Sequence, residues 1–132
     1  MIYLFDVYGV VYENGGLNKG LLAAMQDLRA GGAHVALASN MASAQRVLFW
    51  NALGLKGYAD EIFCSGDLEV AKPDALFYSR VAAKLNTEPE TILFFDDSAA
   101  NVDAAKACGW QAFLYTDVPS TLEIINKFRE LR

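Results

Sequence analysis

The stretch Tyr3-Leu4-Phe5-Asp6-Val7-Tyr8-Gly9-Val10-Val11 decides the fold of this chain. An apolar run leads directly into a single acid, Asp6, and the chain turns apolar again after a tyrosine and a glycine. A short apolar run bounded by turn residues is typical of a buried strand. The run is too short for the core of a signal peptide, and no basic residue precedes it. We therefore predict that it forms the first strand of a sheet, with Asp6 at the C-terminal end of that strand.

The composition is that of a globular protein with strands buried on both faces. The chain has 132 residues, of which 54% are hydrophobic, and we expect one domain spanning residues 1–132. Its formal net charge is −5 and its Lys and Arg residues are scattered, so we expect no nucleic-acid partner, although a small phosphorylated ligand fits. No apolar segment approaches the roughly 18 residues of a membrane span, so we expect no membrane partner.

The cysteines and the single histidine carry no sign of a metal site. Cys64 and Cys108 lie far apart, in apolar surroundings and without metal-ligand spacing. We predict that they are buried free thiols and that the protein is cytoplasmic, since the cytoplasm keeps thiols reduced. His34 lies inside the second predicted strand, where we expect a packed residue rather than a catalytic one.

Strand and helix patterns alternate five times along the chain. After the first strand, apolar runs predict strands over residues 34–38, 61–64, 91–95 and 111–115. Helical spacing predicts helices over residues 19–30, 42–53, 72–85, 99–108 and 119–131, and a polar loop covers residues 65–67. Such alternation implies a parallel sheet with helices on both faces. The predicted fold is therefore α/β, a three-layer Rossmann-like fold with a five-stranded, mostly parallel sheet.

Polar residues follow the ends of several predicted strands. Asp6, Ser39 and the Asp96-Asp97 pair each stand just past a strand, and Lys72 stands at the start of a predicted helix. In open α/β sheets, ligands bind beyond the carboxyl ends of the strands. Each of these residues alone would be an ordinary cap or turn residue. Their joint occurrence predicts that they meet at one edge of the sheet and form a site.

The chemistry of this group of residues favours phosphoryl transfer. Three neighbouring carboxylates repel one another, and a hard cation such as Mg²⁺ removes the repulsion. Lys72 supplies a positive charge for phosphate oxygens or for a nucleophilic carboxylate. Ser39 offers a hydroxyl and backbone amides at a helix N-terminus, where anions bind. A carboxylate nucleophile in these surroundings is typical of a reaction through an aspartyl-phosphate.

Four motifs, taken together, resemble those of the haloacid dehalogenase-like (HAD) hydrolase superfamily. In chain order they are Phe5-Asp6-Val7-Tyr8-Gly9-Val10, Ala38-Ser39-Asn40, Ala71-Lys72-Pro73-Asp74, and Phe94-Phe95-Asp96-Asp97-Ser98 with Asn101-Val102 and Ala104-Ala105. In that superfamily the first motif supplies the nucleophilic Asp and the second binds the phosphoryl group. The third supplies a Lys, and the fourth supplies acids that hold the metal.

The resemblance implies a role for each matching residue. Catalytic roles fall to Asp6, Lys72 and Ser39. Contacts with a phosphorylated substrate fall to Ser39 and Lys72, and also to Asn40 and Tyr8. The implied reaction is the hydrolysis of a phosphoric monoester.

The resemblance also implies a Mg²⁺ site. The ion would be held by Asp6, the Tyr8 backbone carbonyl and Asp97. Asp96 would either bind the ion directly or contact a group that binds it. Asn101 would contact these ligands and would not bind the ion itself.

The spacing of the motifs leaves no room for the cap domain that many relatives carry. One predicted helix fills the segment from Gly9 to Ser39, and a helix and a strand fill the segment from Asn40 to Lys72. We therefore expect an open site. Water would be excluded by a large substrate, by the flap of residues 8–16, or by a neighbouring subunit in a homo-oligomer.

Two adjacent apolar residues in the second helix leave a question open. Phe49 and Trp50 cannot both face one apolar stripe of a helix. Either one of them is exposed and marks a contact surface, or both pack beneath loops.

Tyr8 departs from the pattern of the phosphatases. In those relatives, the residue two after the nucleophile is usually a second Asp, which protonates the leaving alkoxide and activates water. A tyrosine phenol is poorly suited to exchange a proton near neutral pH. General acid–base catalysis is typically worth about 10²–10⁴-fold. We therefore expect slow ester hydrolysis, except with good leaving groups.

Three interpretations follow from Tyr8. The first is a slow Mg²⁺-dependent phosphatase or phosphotransferase. The second is a catalytically degenerate relative that binds metal or a phosphorylated ligand without efficient turnover. The third is a 2-haloacid dehalogenase-type hydrolase, since those enzymes carry a Tyr at this position. Dehalogenases of that type use no metal and need a cap, so the acidic pair and the missing cap favour the first two interpretations.

Overall fold

The computed structural model describes residues 1–130, which alternate between strands and helices as predicted. The elements in chain order are β1 (Ile2–Phe5), β2 (Tyr12–Glu13), β3 (Gly16–Leu17), α1 (Lys19–Ala30), β4 (His34–Ser39), α2 (Ser43–Trp50), β5 (Glu61–Cys64), α3 (Ser65–Leu68), α4 (Ala75–Leu85), β6 (Ile92–Asp96), α5 (Ala99–Ala107), β7 (Gln111–Leu114) and α6 (Val118–Glu130). Short 3₁₀ turns lie at Leu55–Gly57 and Pro89–Thr91.

Within residues 1–130, five strands form one parallel sheet in the order β5-β4-β1-β6-β7. The central strand β1 pairs with β4 on one side and β6 on the other, so that Phe5 lies opposite both Leu37 and Phe95. This register places Asp6 level with Asp96 at the C-terminal edge of the sheet. The chain first builds outward from β1 through β4 and β5, then crosses back to build β6 and β7. The point where the direction reverses lies at β1, where open α/β sheets bind their ligands.

Alternate side chains of the strands form two separate cores, one on each face of the sheet. Tyr3 and Phe5 point to one face, and Leu4 points to the other. Helices α1 and α6 cover the first face and helices α4 and α5 cover the second, through Leu21, Met25, Ile125, Phe77, Val81, Val102 and Ala105. The predicted three-layer α/β fold is therefore confirmed.

Side-chain caps set the start of several helices. Asn18 caps α1 by accepting a hydrogen bond from the Leu21 amide, which is a common role for asparagine just before a helix. Asp74 caps α4 in the same way, so α4 begins at Ala75 rather than at Lys72. Pro73 disfavours a helical conformation for the residue before it, which explains why Lys72 stays in the loop.

Several element boundaries differ from the sequence prediction. The predicted loop at residues 65–67 is the short helix α3, which is closed by Glu69 in the left-handed conformation with φ 59°. The buried side chain of Leu68 anchors this turn in the second core, and the polar pattern of residues 65–67 gave no sign of it. Helix α2 ends at Trp50 rather than at residue 53. The predicted end of the last helix, Leu131, lies outside the described residues.

The segments between the motifs are short in the described structure. Within residues 1–130, the connection from β1 to β4 holds the antiparallel β2–β3 hairpin and α1, and no cap domain. The connection from β4 to Lys72 holds α2, β5 and α3.

Among residues 1–130, no helix has the length and apolar character needed to cross a bilayer.

Candidate active site

A buried lysine lies at the C-terminal edge of the sheet and touches the ends of three strands. The Lys72 Nζ donates hydrogen bonds to Asp6 Oδ1 at 2.9 Å, to Asp96 Oδ2 at 2.7 Å and to the Ala38 carbonyl at 2.8 Å. An ammonium group has three donors, and all three are used here. The nitrogen also lies 5.3 Å from the centre of the Phe94 ring, within cation–π range. The structure therefore brings together three of the predicted site residues: Asp6, Lys72 and Asp96.

Asp96 is the most completely bonded of the acids. Its side chain is fully buried, and its Oδ1 accepts a hydrogen bond from the Ser98 amide at 2.9 Å. Its Oδ2 accepts from Lys72 and, at 3.1 Å, from the Asn101 amide group. Asn101 thus stands behind an acid of the site, as the sequence motif implies. This bonding fixes the orientation of Asp96 and, through it, the position of the lysine.

Asp97 lies on the exposed side of the same cluster, against the backbone of Gly9. Gly9 has φ +82°, and a Cβ placed there would lie 2.0 Å from Asp97 Oδ2, so a larger residue would be strained and would displace the Asp97 side chain. Carboxyl oxygens of Asp6, Asp96 and Asp97 all lie within 4.8 Å of one another. The close approach of Gly9 to Asp97 was not expected from the sequence, because it depends on the path of the loop after β1.

The charges in this cluster do not balance, because one lysine faces three carboxyl groups. Burial raises the pKa of the Asp6 carboxyl from 3.8 to about 7, an increase that Lys72 opposes and Asp96 reinforces. Partial burial, followed by the charge of Asp96, raises the pKa of Asp97 as well. A hard divalent cation with oxygen ligands would relieve this crowding. The donor set therefore fits Mg²⁺.

Ser39 brings a buried hydroxyl to the same edge of the sheet. It is fully buried at the end of β4, and within residues 1–130 its Oγ has no hydrogen-bond partner. A buried polar group without a partner costs about 1–3 kcal/mol. A ligand oxygen bound beside Asp6 would offset that cost, which fits the predicted contact with a phosphoryl group.

Asn40 clamps the backbone of Lys72. Its Nδ2 donates to the Lys72 carbonyl at 3.0 Å, and its Oδ1 accepts from the Lys72 amide at 2.9 Å. Both polar atoms of the side chain are therefore engaged within the protein. The sequence assigned Asn40 a contact with substrate, which stays a prediction. Its part in holding Lys72 gave no signal in the sequence, because the two residues are joined only by the loop conformation.

Tyr8 lies in a trio of aromatic rings beside the site. The Tyr8 ring packs edge-on against Phe49 and Tyr12, and these two rings pack edge-on against each other. Phe49 is buried, and Trp50 is partly buried against the first core. Both residues of this pair therefore pack inside the protein, which was one of the two possibilities left open by the sequence. The participation of Tyr12 was not expected, because the β2–β3 hairpin brings it back over the end of β1.

Comparisons with known proteins identify the family to which this chain is similar. Residues 1–109 match the family model described as haloacid dehalogenase-like hydrolase. A phosphorylated carbohydrates phosphatase of Thermotoga maritima is 29% identical over 92 residues, which cover 70% of this chain and 43% of that protein. An enolase-phosphatase E1 of Methylococcus capsulatus is 30% identical over 118 residues, which cover 80% of this chain and 51% of that protein. The chain thus spans about half, or less, of these curated relatives.

A solved structure of similar size shares the fold. It is an uncharacterized protein from Corynebacterium glutamicum, 23% identical, and it superposes with a TM-score of 0.72. The superposition covers 94% of this chain and 91% of that chain. The likeness therefore extends over nearly the whole sheet and its helices, and it supports the assigned fold.

Metal-free protein is expected to lose stability as the pH rises, because of Asp6. The pKa of its carboxyl is about 7 in the folded chain against the ordinary 3.8. Between pH 3.8 and about pH 7 the folded chain therefore keeps a proton on Asp6 that the unfolded chain has lost. The free energy of unfolding therefore falls as the pH rises from about 4 to about 7. We expect Asp6→Asn to be more stable than the wild type in EDTA at pH 8, by about 1–3 kcal/mol, and this gain to shrink at pH 5.

Urea unfolding at the two pH values measures this difference. The matched control is Asp103→Asn, which changes an exposed acid of α5 and should not alter stability at either pH. An Asp6→Asn variant less stable than the wild type at pH 8 would show that the ion pair with Lys72 outweighs the cost of burial.

Loss of the Asn40 clamp is expected to destabilise the site. Asn40→Ala removes both hydrogen bonds to the Lys72 backbone, which should lower the free energy of unfolding by about 1–2 kcal/mol. Asn40→Asp keeps the acceptor but loses the donor, so its loss should be similar or greater. The control is Asn51→Ala at the exposed end of α2. Equal stability of the Asn40→Ala and Asn51→Ala variants would disprove the clamp.

Proposed function

We propose that this chain, which belongs to the haloacid dehalogenase-like hydrolases, is a Mg²⁺-dependent phosphatase or phosphotransferase that works through an aspartyl-phosphate on Asp6. The observation that carries the proposal is the buried ammonium of Lys72, held between Asp6 and Asp96 at the edge where Asp97 also lies. The names of the curated relatives support it, since both are phosphatases. We take residues 1–132 as one hydrolase core domain and place it in the cytoplasm.

Asp6 is the nucleophile in this proposal. Lys72 binds its Oδ1, which orients the carboxylate and leaves Oδ2 to attack phosphorus. The new Asp6–phosphorus bond forms as the bond from phosphorus to the leaving oxygen breaks. A water molecule then attacks the aspartyl-phosphate and releases the carboxylate, or an acceptor alcohol does so in a phosphotransfer.

Lys72 acts on the nucleophile rather than as a direct phosphate donor. Its three N–H groups are all taken by protein acceptors, so its charge reaches the phosphoryl group through space. The free hydroxyl of Ser39 is the group that would donate to a phosphate oxygen. Asp96 holds the ammonium group of the lysine, and Asn40 holds its backbone.

Mg²⁺ would be held by Asp6, Asp97 and the Tyr8 backbone carbonyl, with Asp96 behind them. When bound, it would neutralise part of the charge on the carboxylates and the phosphate. Asp96 already accepts three hydrogen bonds, which favours a supporting place for it rather than a direct ligand bond. The open edge would accept a large phosphorylated substrate, or a second copy of the chain could cover it.

Tyr8 favours one alternative, a degenerate relative that binds metal or a phosphorylated ligand without efficient turnover. No carboxyl stands at this position to give the leaving group a proton. A dehalogenase ranks below both candidates. The cluster of three acids suits a metal, and residues 1–130 include no cap to enclose a halide.

Hydrolysis of an aryl phosphate tests the proposed function. We expect Mg²⁺-dependent turnover by the wild type and a loss of at least about 10³-fold in Asp6→Asn. We expect an increase of about 10- to 100-fold in the kcat of Tyr8→Asp, because the new carboxyl would activate the water that hydrolyses the aspartyl-phosphate. Asp103→Asn serves as the control and should match the wild type. The measurement is the steady-state rate with and without Mg²⁺.

The other outcomes distinguish the alternatives. Turnover that is absent in the wild type but present in Tyr8→Asp would favour the degenerate relative. Halide release from a 2-haloacid without metal would overturn both phosphate-based candidates.

A further inference from the structure

Three aromatic rings, one of them two residues beyond Asp6, pack against one another in a single unit. The ring centres of Tyr8, Tyr12 and Phe49 lie 5.4–6.2 Å apart, and each pair is nearly perpendicular, at 87–88°. Edge-to-face packing at these distances is the favoured arrangement of aromatic rings. The three residues come from the loop after β1, from β2 and from α2, so the unit joins three separate elements. We call it the aromatic ledge.

The ledge is built mainly from segments that follow two neighbouring strands, β1 and β4. Tyr8 stands two residues beyond Asp6 at the end of β1, and Phe49 lies on α2, the helix that follows Ser39 at the end of β4. Strands β1 and β4 are adjacent in the sheet. Because Tyr8 follows Asp6 by only two residues, its ring is the member of the ledge that could reach a group bound at Asp6.

Tyr8 is the most exposed ring of the ledge, and Tyr12 is partly buried. Phe49 is 4% exposed, whereas Tyr8 is 39% exposed. The buried Phe49 and the hairpin residue Tyr12 hold the Tyr8 ring in a fixed orientation. A ligand that packs on this ring needs little ordering of the protein, which favours binding.

The surroundings of the ledge suit an uncharged group. The β2–β3 hairpin carries one charged residue, the acid Glu13, and α2 carries one, the base Arg46. Arg46 is paired with Asp67 at 2.5 Å, and Lys72 is buried in the site. Within residues 1–130, the hairpin and α2 thus offer no unpaired cation for a second anionic group of a substrate. The ledge fits an apolar or aromatic alcohol and disfavours a second phosphate or carboxylate.

We propose that the aromatic ledge is the leaving-group subsite and that the substrates are aryl phosphate monoesters, with the aryl ring packed on Tyr8. This proposal rests on the proposed phosphatase function. Attack by Asp6 on phosphorus would break the bond to the aryl oxygen and release a phenolate. A phenolate is a stable anion that takes its proton from water after it leaves, so it needs no acid at residue 8. The geometry of the ledge and the absence of a carboxyl there favour the same substrate class.

Binding of two non-hydrolysable phosphonates tests the ledge without any turnover. Calorimetry with phenylphosphonate and methylphosphonate, both in Mg²⁺, compares ligands that differ in the aryl ring. We expect the wild type to bind phenylphosphonate about 5- to 10-fold more tightly. Tyr8→Leu should lose this preference and Tyr8→Phe should keep it. The control Leu76→Ala, on an exposed face of α4, should bind both ligands as the wild type does.

Kinetics with two matched esters then separate ring packing from the acidity of the leaving group. Phenyl phosphate and hexafluoroisopropyl phosphate release alcohols of similar acidity, and only the first carries a ring. We expect the wild type to favour phenyl phosphate by about 5- to 10-fold in kcat/KM, mainly through KM. Tyr8→Leu should abolish the preference. A phosphotyrosyl peptide, assayed beside phenyl phosphate, distinguishes a protein-borne aryl ester from a free one.

The two proposals fail in different ways. Equal binding of both phosphonates, or a preference that persists in Tyr8→Leu, would overturn the aryl subsite even if the enzyme hydrolyses phosphate esters. A ring preference in binding that Tyr8→Leu removes would support the subsite. The same binding result without hydrolysis of either ester, by the wild type or by Tyr8→Asp, would overturn the phosphatase function and the role of the ledge as a leaving-group subsite, and would leave the ledge as a ring-binding site.

Discussion

The ammonium of Lys72 is the contact on which the organisation of the site depends. It joins Asp6 at the end of β1, the Ala38 carbonyl at the end of β4, and Asp96 at the end of β6. A buried charge must be paired and hydrogen-bonded, and leaving one partner unpaired typically costs several kcal/mol. The lysine therefore fixes the relative positions of three strand ends. The parallel register of the sheet makes this possible by setting Asp6 and Asp96 level with each other.

The same contact leaves a charge that the protein does not balance by itself. One ammonium faces three carboxyl groups whose oxygens lie within 4.8 Å of one another, and the pKa of Asp6 is raised to about 7. The Asn101 side chain and the Ser98 amide both donate hydrogen bonds to Asp96, the buried acid of the cluster. The exposed side of the cluster, at Asp97, is thus where a cation and an anionic ligand would relieve the crowding. In the proposed function, a metal ion and a phosphate bound together would relieve this crowding.

The sequence predicted the parts of this arrangement that follow from pattern. Alternating strands and helices implied the parallel sheet, and the ends of its strands identified Asp6, Ser39 and Asp96-Asp97. Contacts set by loop conformation gave no such pattern. The clamp between Asn40 and the Lys72 backbone, for example, joins two loops 32 residues apart.

The contacts of the flap and the short helix α3 were missed for the same reason. The hairpin folds Tyr12 back onto Tyr8, and the loop after β1 brings Gly9 against Asp97.

A crystal structure grown with Mg²⁺ and beryllium fluoride, which mimics a phosphoryl group on a carboxylate, tests most directly whether Asp6 is the nucleophile. We predict that beryllium, with its fluorides, bonds to the Asp6 oxygen that Lys72 leaves free, and that a cation lies between Asp6 and Asp97. A structure that shows neither the adduct nor the cation would contradict the proposed mechanism.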